Sequence, residues 1–405
     1  LTPRPAPLRA RWWRGGQHEG AGSMNPIDTL QQPGLLFTLA SFVAMIAVLV
    51  VVHEGGHYLA GRLFDTRMEA FGVGFGRELI GVTDRRGVRW RINAIPLGGY
   101  VKFVGDMNEA SQADPALMSL PESERRGLFA FLPLWQRAII VAAGPAINFI
   151  FAIAILAAFN MTLGHLSSPP VVAQVQPGSA AARAGMQAGD RVTAVDGAAV
   201  ERFEDVVNLV ITGVGKPVLL DIERGGAARQ ITIVPDMIEA TDRFGNVTRH
   251  PRLGLARPAE QVQIVGLVDA VRWAAIDTWS ITQTIGRTLR QVVMGERSLK
   301  EMGGPVKTAQ IAGQQASLGL ISAVAFMAFF SINLGFINLL PIPTLDGGHL
   351  LLYGIEALRR QPLAERVQQW AFMSGFAALM SLMAVLTWHD IGSVGVFGRI
   401  AGWLG

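Results

Sequence analysis

The 405-residue chain has no cysteine and little charge, with Asp, Glu, Lys and Arg making up 16% of its residues. Without cysteine it has no disulfide scaffold, no thiolate metal site and no cysteine nucleophile. Soluble domains carry roughly a quarter charged residues, so the deficit implies long stretches of chain that never meet water. Half of the residues are hydrophobic and the mean hydropathy is positive, which excludes a disordered chain. The net charge is +4, but the basic residues are scattered among acids with no aromatic-interleaved patch, so nucleic acid is not an expected partner. The expected partner is a lipid bilayer.

Crossing ~30 Å of hydrocarbon takes about 20 mostly apolar residues. The first uncharged run of that length goes from Gly34 to Val52 and continues through His53, Glu54 and His57 to about Phe64. The second goes from Ala138 to Gly164, the third lies within Thr308 to Leu345, and the fourth goes from Val367 to Thr387. Short loops rich in Lys and Arg stay in the cytoplasm, whereas long segments translocate largely regardless of charge. The loop from Arg62 to Arg137 holds 11 Lys and Arg, and Arg359, Arg360 and Arg366 stand between spans three and four, so both read as cytoplasmic. The segment from His165 to Gln310 balances 16 Lys and Arg against 15 Asp and Glu and reads as a translocated domain. Arg4, Arg9, Arg11 and Arg14 would pull the N-terminus inward. A start at Met24 leaves a leader free of Lys and Arg, so residues 1–23 read as an upstream extension, with a genuine Arg-rich leader as the alternative.

The first span ends in VVHEGGHYLAGR, an HExxH pattern that puts His53 and His57 at i and i+4 on one helical face with Glu54 beside them. With seven His in the chain, about 0.005 chance occurrences are expected, so the pattern is specific for a zinc site with a general base. Three ionisable groups near a bilayer are expensive unless they serve an ion or a reaction. Two histidines leave a catalytic zinc short of a third ligand. Asp346, in NLLPIPTLDGGHL, is the first choice, with His349 as the alternative, while His389 lies at the wrong face. Pro341 and Pro343 each lack a backbone donor and would open the third span at the site. The Asn338 amide is placed to hold a substrate backbone or a freed carbonyl, with helix packing as the alternative. Gly347 and Gly348 would let Asp346 turn back toward the metal.

HEGGH at 53–57, AGPAINF at 143–149 and NLLPIPTLDGG at 338–348 together resemble the site-2 protease family of intramembrane zinc metalloproteases, and the layout is similar to its regulator of sigma-E protease subgroup. The resemblance covers about Met24 to the C-terminus. It implies Zn2+ held by His53, His57 and Asp346, Glu54 as general base and Asn338 as a substrate-handling residue. It also implies single-span membrane protein substrates, such as anti-sigma factors or remnant signal peptides, cut at a bacterial inner membrane. Some relatives carry two PDZ domains in the insertion, whereas the length here fits one followed by a linker.

Residues 169–256 alternate short apolar runs with turn signals, and PGSAAARAGMQAGDRVTAVDG resembles a PDZ domain that takes a peptide ligand by strand addition, with a rigid size filter as the alternative. From Val262 to Met294 a Trp-bearing helix is expected along the outer membrane surface, with a packed tether as the alternative. RWRINAIPLGGYVKFVGD reads as a hairpin broken at Pro96 and at Gly98 and Gly99, whose edge would clamp an extended substrate, with a plain cytoplasmic cap as the alternative. Asn338, Pro341, Gly98 and Gly99 are therefore the candidate substrate-contacting positions.

The expected fold is a polytopic α-helical membrane protein with four transmembrane helices, a cytoplasmic membrane-associated β-hairpin and an inserted extracytoplasmic PDZ-like α+β domain. Along the chain this gives the extension over 1–23, the first span over 24–64, the hairpin loop over 65–133 and the second span over 134–164. The outer domain then occupies 165–257, the linker 258–315, the third span 316–350, a short loop 351–366, the fourth span 367–389 and a tail 390–405. Two other classes compete with a protease. A membrane-anchored PDZ scaffold with a structural metal would have no use for Glu54. A metal transporter would need polar residues along spans two and four, which lack them.

Overall fold

The computed structural model describes residues 33–105, 120–213, 215–241, 247–259, 261–299 and 302–393. The expected extension over 1–23, the Met24 start and the tail beyond 393 lie outside the described residues. Helix α1 (Leu35–Leu63) has 29 residues, about 44 Å at 1.5 Å per residue, longer than the ~30 Å hydrocarbon layer. Its exposed Leu35, Leu36, Val48 and Val51 form a surface suited to lipid.

Strands β1 (Met68–Thr83) and β2 (Arg89–Phe103) pair antiparallel. Their turn forms because the Asp84 carboxylate accepts the Arg86 and Val88 N–H groups at 2.8 and 3.0 Å. The hairpin thus differs from the expected one. Its turn is at Asp84, and Gly98 and Gly99 lie inside a continuous β2. Phe71 has partners on both flanks, Val101 and Trp90, so the long strands fold over one another into a broader sheet.

A single turn, α2 (Glu122–Arg125), precedes α3 (Leu134–Thr162), which packs against α1 and three of the later helices. Small residues set the contacts: a side chain at Gly56 of α1 would overlap the Ala143 backbone of α3.

The next segment holds β3 (His165–Ser167), β4 (Gln174–Val175), α4 (Ala180–Arg183), β5 (Arg191–Val195), β6 (Ala198–Ala199) and α5 (Phe203–Ile211). It continues through β7 (Val218–Arg224), β8 (Ala227–Ile233), β9 (Asp236–Thr241), β10 (Val247–Arg252), β11 (Leu255–Ala256) and β12 (Gln261–Gln263). A four-stranded sheet in the order β6-β5-β7-β8 packs with α5 around Val192, Val206, Leu220, Ile222 and Ile233, all at most 2% exposed. Strands β3 and β12 pair, bringing the entry and exit of this unit together next to the end of α3.

Helix α6 (Leu267–Val293) does not lie apart on a surface. Its Ala270 and Ala274 pack on Ala157 of α3, and Ile281 and Ile285 pack on the cluster formed with Ile332. The Ala residues permit this approach, and Asn160 of α3 donates to the Ala270 carbonyl at 3.3 Å. Helix α6 is thus packed on α3, as the tether alternative expects, while Leu267, Val268 and Trp279 remain exposed on its other side. Helix α7 (Pro305–Ser317) follows, with the Asp390 carboxylate accepting from Gly304 and Lys307 N–H at its N-terminus. Then come α8 (Leu320–Asn338), α9 (Asp346–Arg359) and α10 (Glu365–Ser393).

The chain is mostly helical with added strands, and among the described residues α1, α3, α8 and α10 are long and apolar enough to cross a membrane.

Candidate metal centre

His53 and His57 lie one turn apart on α1, so their rings share a face, with centroids 4.9 Å apart and Nε2 atoms 3.3 Å apart. Asp346 arrives from a distant helix. Its Oδ2 is 3.2 Å from His53 Nε2 and its Oδ1 is 3.6 Å from His57 Nε2. One donor atom from each of the three residues fits within 4.8 Å of the others.

The local sequence explains how Asp346 reaches this point. Pro341 and Pro343 cannot continue the α8 hydrogen-bond ladder, so the chain unwinds from Leu339 to Leu345 and restarts as a helix with Asp346 as its first residue. A carboxylate in the first turn is favoured by the helix dipole. Gly347 and Gly348 serve by their size: side chains there would overlap the Leu339, Leu340 and Ile342 carbonyls of the unwound link.

The donor set suits zinc. Two imidazole nitrogens and a carboxylate oxygen are the three-ligand pattern that leaves a fourth position open. Asp346 Oδ2 is also buried with no hydrogen-bond partner, and a cation shared with the two histidines would satisfy it. His349 belongs to the packing instead, its ring 4.8 Å from Phe372 and 6.3 Å from Tyr353. His389 lies on α10, and neither histidine joins the donor cluster.

Glu54 faces the hairpin. A side chain at Gly99 would sit 3.1 Å from Glu54 Cγ and 2.9 Å from the Gly72 carbonyl, so glycine lets β2 lie against α1 beside the carboxylate. Gly98 has φ near +80° and faces the Phe75 ring, a conformation open to glycine. Asn338 ends α8 half-buried and Pro341 is exposed in the unwound link. Among the described residues neither makes a hydrogen bond to the triad.

Three features of α3 carried no assigned role in the sequence. The Ile140 carbonyl lies 2.9 Å from His57 Nδ1. Gly144 faces both imidazoles, where a side chain would overlap His57 Nε2 and come within 3.0 Å of His53 Cε1. The Asn148 amide lies 3.0 Å from His53 Nδ1. The available signal was the AGPAINF segment, which contains the last two.

The family description peptidase family M50 matches residues 41–382. The chain belongs to peptidase family M50. Relatives within reach include a Rhizobium meliloti protein provisionally named a zinc metalloprotease, 41% identical over 90% of this chain and 98% of its own length. An Agrobacterium fabrum protein with a similar name is 41% identical over 88% of this chain and 96% of its own. Metalloprotease MmpA of Caulobacter vibrioides is 34% identical over 91% of this chain and 99% of its own. The M50 match runs from α1 into α10, so it takes in His53, Glu54, His57 and Asp346 together.

Proposed function

We propose that this M50 peptidase is an intramembrane zinc metalloprotease that hydrolyses a peptide bond within or near the transmembrane segment of single-span membrane proteins. That it is a zinc metalloprotease follows from its family, from its relatives' names and from the donor triad. The observation that carries the finer reading is the place of the triad. His53 is 18 residues into α1, about 27 Å from Leu35, so the donors lie within the reach of an apolar helix.

Zinc, when bound, polarises the scissile carbonyl and lowers the pKa of a water toward ~7. The chain's own groups do the rest. His53, His57 and Asp346 would hold the ion. Glu54, next to His53 on the helix and held toward β2, takes the proton of the attacking water on a carboxylate oxygen and delivers it to the departing amine. A substrate helix hides its peptide bonds in its own hydrogen bonds, so cleavage needs an extended segment. The β2 backbone at Gly99 lies beside Glu54, and the strand from Gly98 would pair with such a segment. Asn338 and Pro341, at the end of α8 and in the unwound link, are the further positions proposed to contact it.

The charge asymmetry of the loops supports an orientation with the hairpin in the cytoplasm and residues 165–257 on the other side, which is the periplasm in the bacterial inner membrane that the family resemblance implies. That unit, read as one PDZ-like domain, would bind a peptide or exclude untrimmed ectodomains. By analogy the substrates are anti-sigma factors or remnant signal peptides in regulated proteolysis.

The test is cleavage of a single-span reporter in proteoliposomes by wild type and Glu54→Gln, with zinc measured on both. The expected result is zinc near one per chain in both proteins and cleavage reduced at least about 10³-fold in the variant. Unchanged cleavage would remove Glu54 from the mechanism. A protein that holds zinc but cleaves no reporter would favour the PDZ scaffold.

A further inference from the structure

Each imidazole has two nitrogens, and only one of them can face a metal. In both histidines the Nε2 atom points to Asp346, which leaves the Nδ1 atoms to be accounted for. A metal ligand offers a lone pair, so the proton of a neutral ring with Nε2 at the metal resides on Nδ1 and must be donated. His57 Nδ1 donates to the Ile140 carbonyl, which can only accept. His53 Nδ1 has the Asn148 side-chain amide at 3.0 Å.

An amide presents either its oxygen or its nitrogen after a half-turn, and the chemistry of the neighbour decides which. With Nδ2 toward the ring, Asn148 would donate to His53 Nδ1 and force the proton onto Nε2, where a metal ligand needs its lone pair. Turning the amide brings the oxygen to the Nδ1 proton. Building on the proposed zinc site, we propose that Asn148 is the positioning residue of His53. Its side-chain oxygen accepts the Nδ1 proton and so fixes the tautomer and the ring plane that present Nε2 to the zinc.

The surroundings support this role. Asn148 has no solvent exposure, so no water substitutes for it. The residue is held in place from α8: Ser331 Oγ donates to its backbone carbonyl at 2.9 Å, and the Gly335 position is packed against its Cβ. Helix α3 thus supplies the second partner of both histidines, a main-chain carbonyl for His57 and a side-chain oxygen for His53. Asn148 is not one of the donors and acts through His53.

The test measures zinc affinity of the full chain in detergent micelles by chelator competition, for wild type, Asn148→Asp, Asn148→Leu and Asn148→Ala, with melting temperatures recorded alongside. Loss of the acceptor in the Leu and Ala variants is expected to weaken zinc binding by roughly 10- to 100-fold. The Asp variant keeps an acceptor oxygen and is expected to stay within about threefold of wild type. Wild-type affinity in a folded Leu or Ala variant would overturn the assignment, as would an Asp variant that folds normally yet binds as weakly as Leu. Should the variants fail to fold, ¹⁵N-histidine NMR of the zinc-loaded wild type in bilayers decides: a His53 Nδ1–H proton protected from exchange is expected, and an Nε2–H tautomer would overturn the proposal. A wild type that binds no zinc would bring down the proposed function as well, whereas unchanged affinity in Asn148→Leu would bring down the Asn148 assignment alone.

Discussion

Gly144 fixes how closely α3 approaches the two imidazoles, since a side chain there overlaps the His57 ring. Gly144→Val is therefore expected to cut zinc content to below about a tenth of wild type while helix content by circular dichroism stays unchanged, because overpacking acts locally at the donors. Full zinc occupancy in that variant would show that the rings have room the structure does not suggest. Asp346→Asn tests the third donor. An amide has no anionic oxygen to offer, so zinc retention should fall by at least about 10-fold, and retention at the wild-type level would return His349 to consideration. At this scale the sequence was readable where chemistry sits at fixed spacing: HExxH places both histidines on one face by helix geometry alone. Asn148 was not readable as a partner of His53. The two are 95 residues apart, and a polar residue in an apolar helix looks the same whether it meets a ligand or a neighbouring backbone.

Strand β2 and helix α1 touch through Gly99, so the hairpin and the metal site can be separated by one substitution. Gly99→Val would drive a branched side chain into Val50 and the Glu54 stem. It should leave zinc bound and lower cleavage by more than about 10-fold, because the donors are untouched while the strand is displaced. Loss of zinc in this variant would contradict that separation. The break between α8 and α9 was legible, since Pro341 and Pro343 cannot donate to a helix. Strand β1 was not, because MEAFGVGFGRELIGVT has a burial pattern without clean alternation and glycines at Gly72, Gly74, Gly76 and Gly81. Its partner strand was then assigned to a smaller hairpin.

Within the unit built on β5 and β7, Asp190 is 1% exposed and Arg224 grips it with Nε–Oδ1 at 2.6 Å and Nη2–Oδ2 at 2.7 Å. Burial alone would push the Asp190 carboxyl up, but Arg224 and the Gln187 N–H outweigh it and hold the group below the usual carboxylate range. A folded-state value below the unfolded one of about 3.9 means that the stabilisation is present above that pH and is lost as pH falls through the folded value. Asp190→Asn should therefore destabilise this unit by about 1 kcal/mol at pH 7, since solvent at the Arg224 end screens the pair, with the gap to wild type shrinking at pH 2 to 3. Denaturant unfolding at the two pH values reads this, and a gap that is the same at both would contradict the ionic origin.

On the scale of the whole molecule, the four apolar helices were legible from run length and charge. The seating of α6 was not, because its Ala270 and Ala274 carry no signal of which helix they will meet. Helix α6 is tied to the β-rich unit by Arg202 to Asp277 and by Gln291 to the Thr212 carbonyl, and to the bundle through α3 and α8. The β-rich unit and the apolar helices are thereby joined through one packed helix. The central claim is that the donors act at membrane depth, and it is tested most directly by mapping the scissile bond of a single-span reporter cleaved by the wild-type chain in proteoliposomes, using mass spectrometry of both products. The account predicts a cut inside the apolar segment or within about one helical turn of its end, abolished by zinc chelation. A cut confined to the soluble flanks of the reporter, or one that persists after chelation, would contradict it.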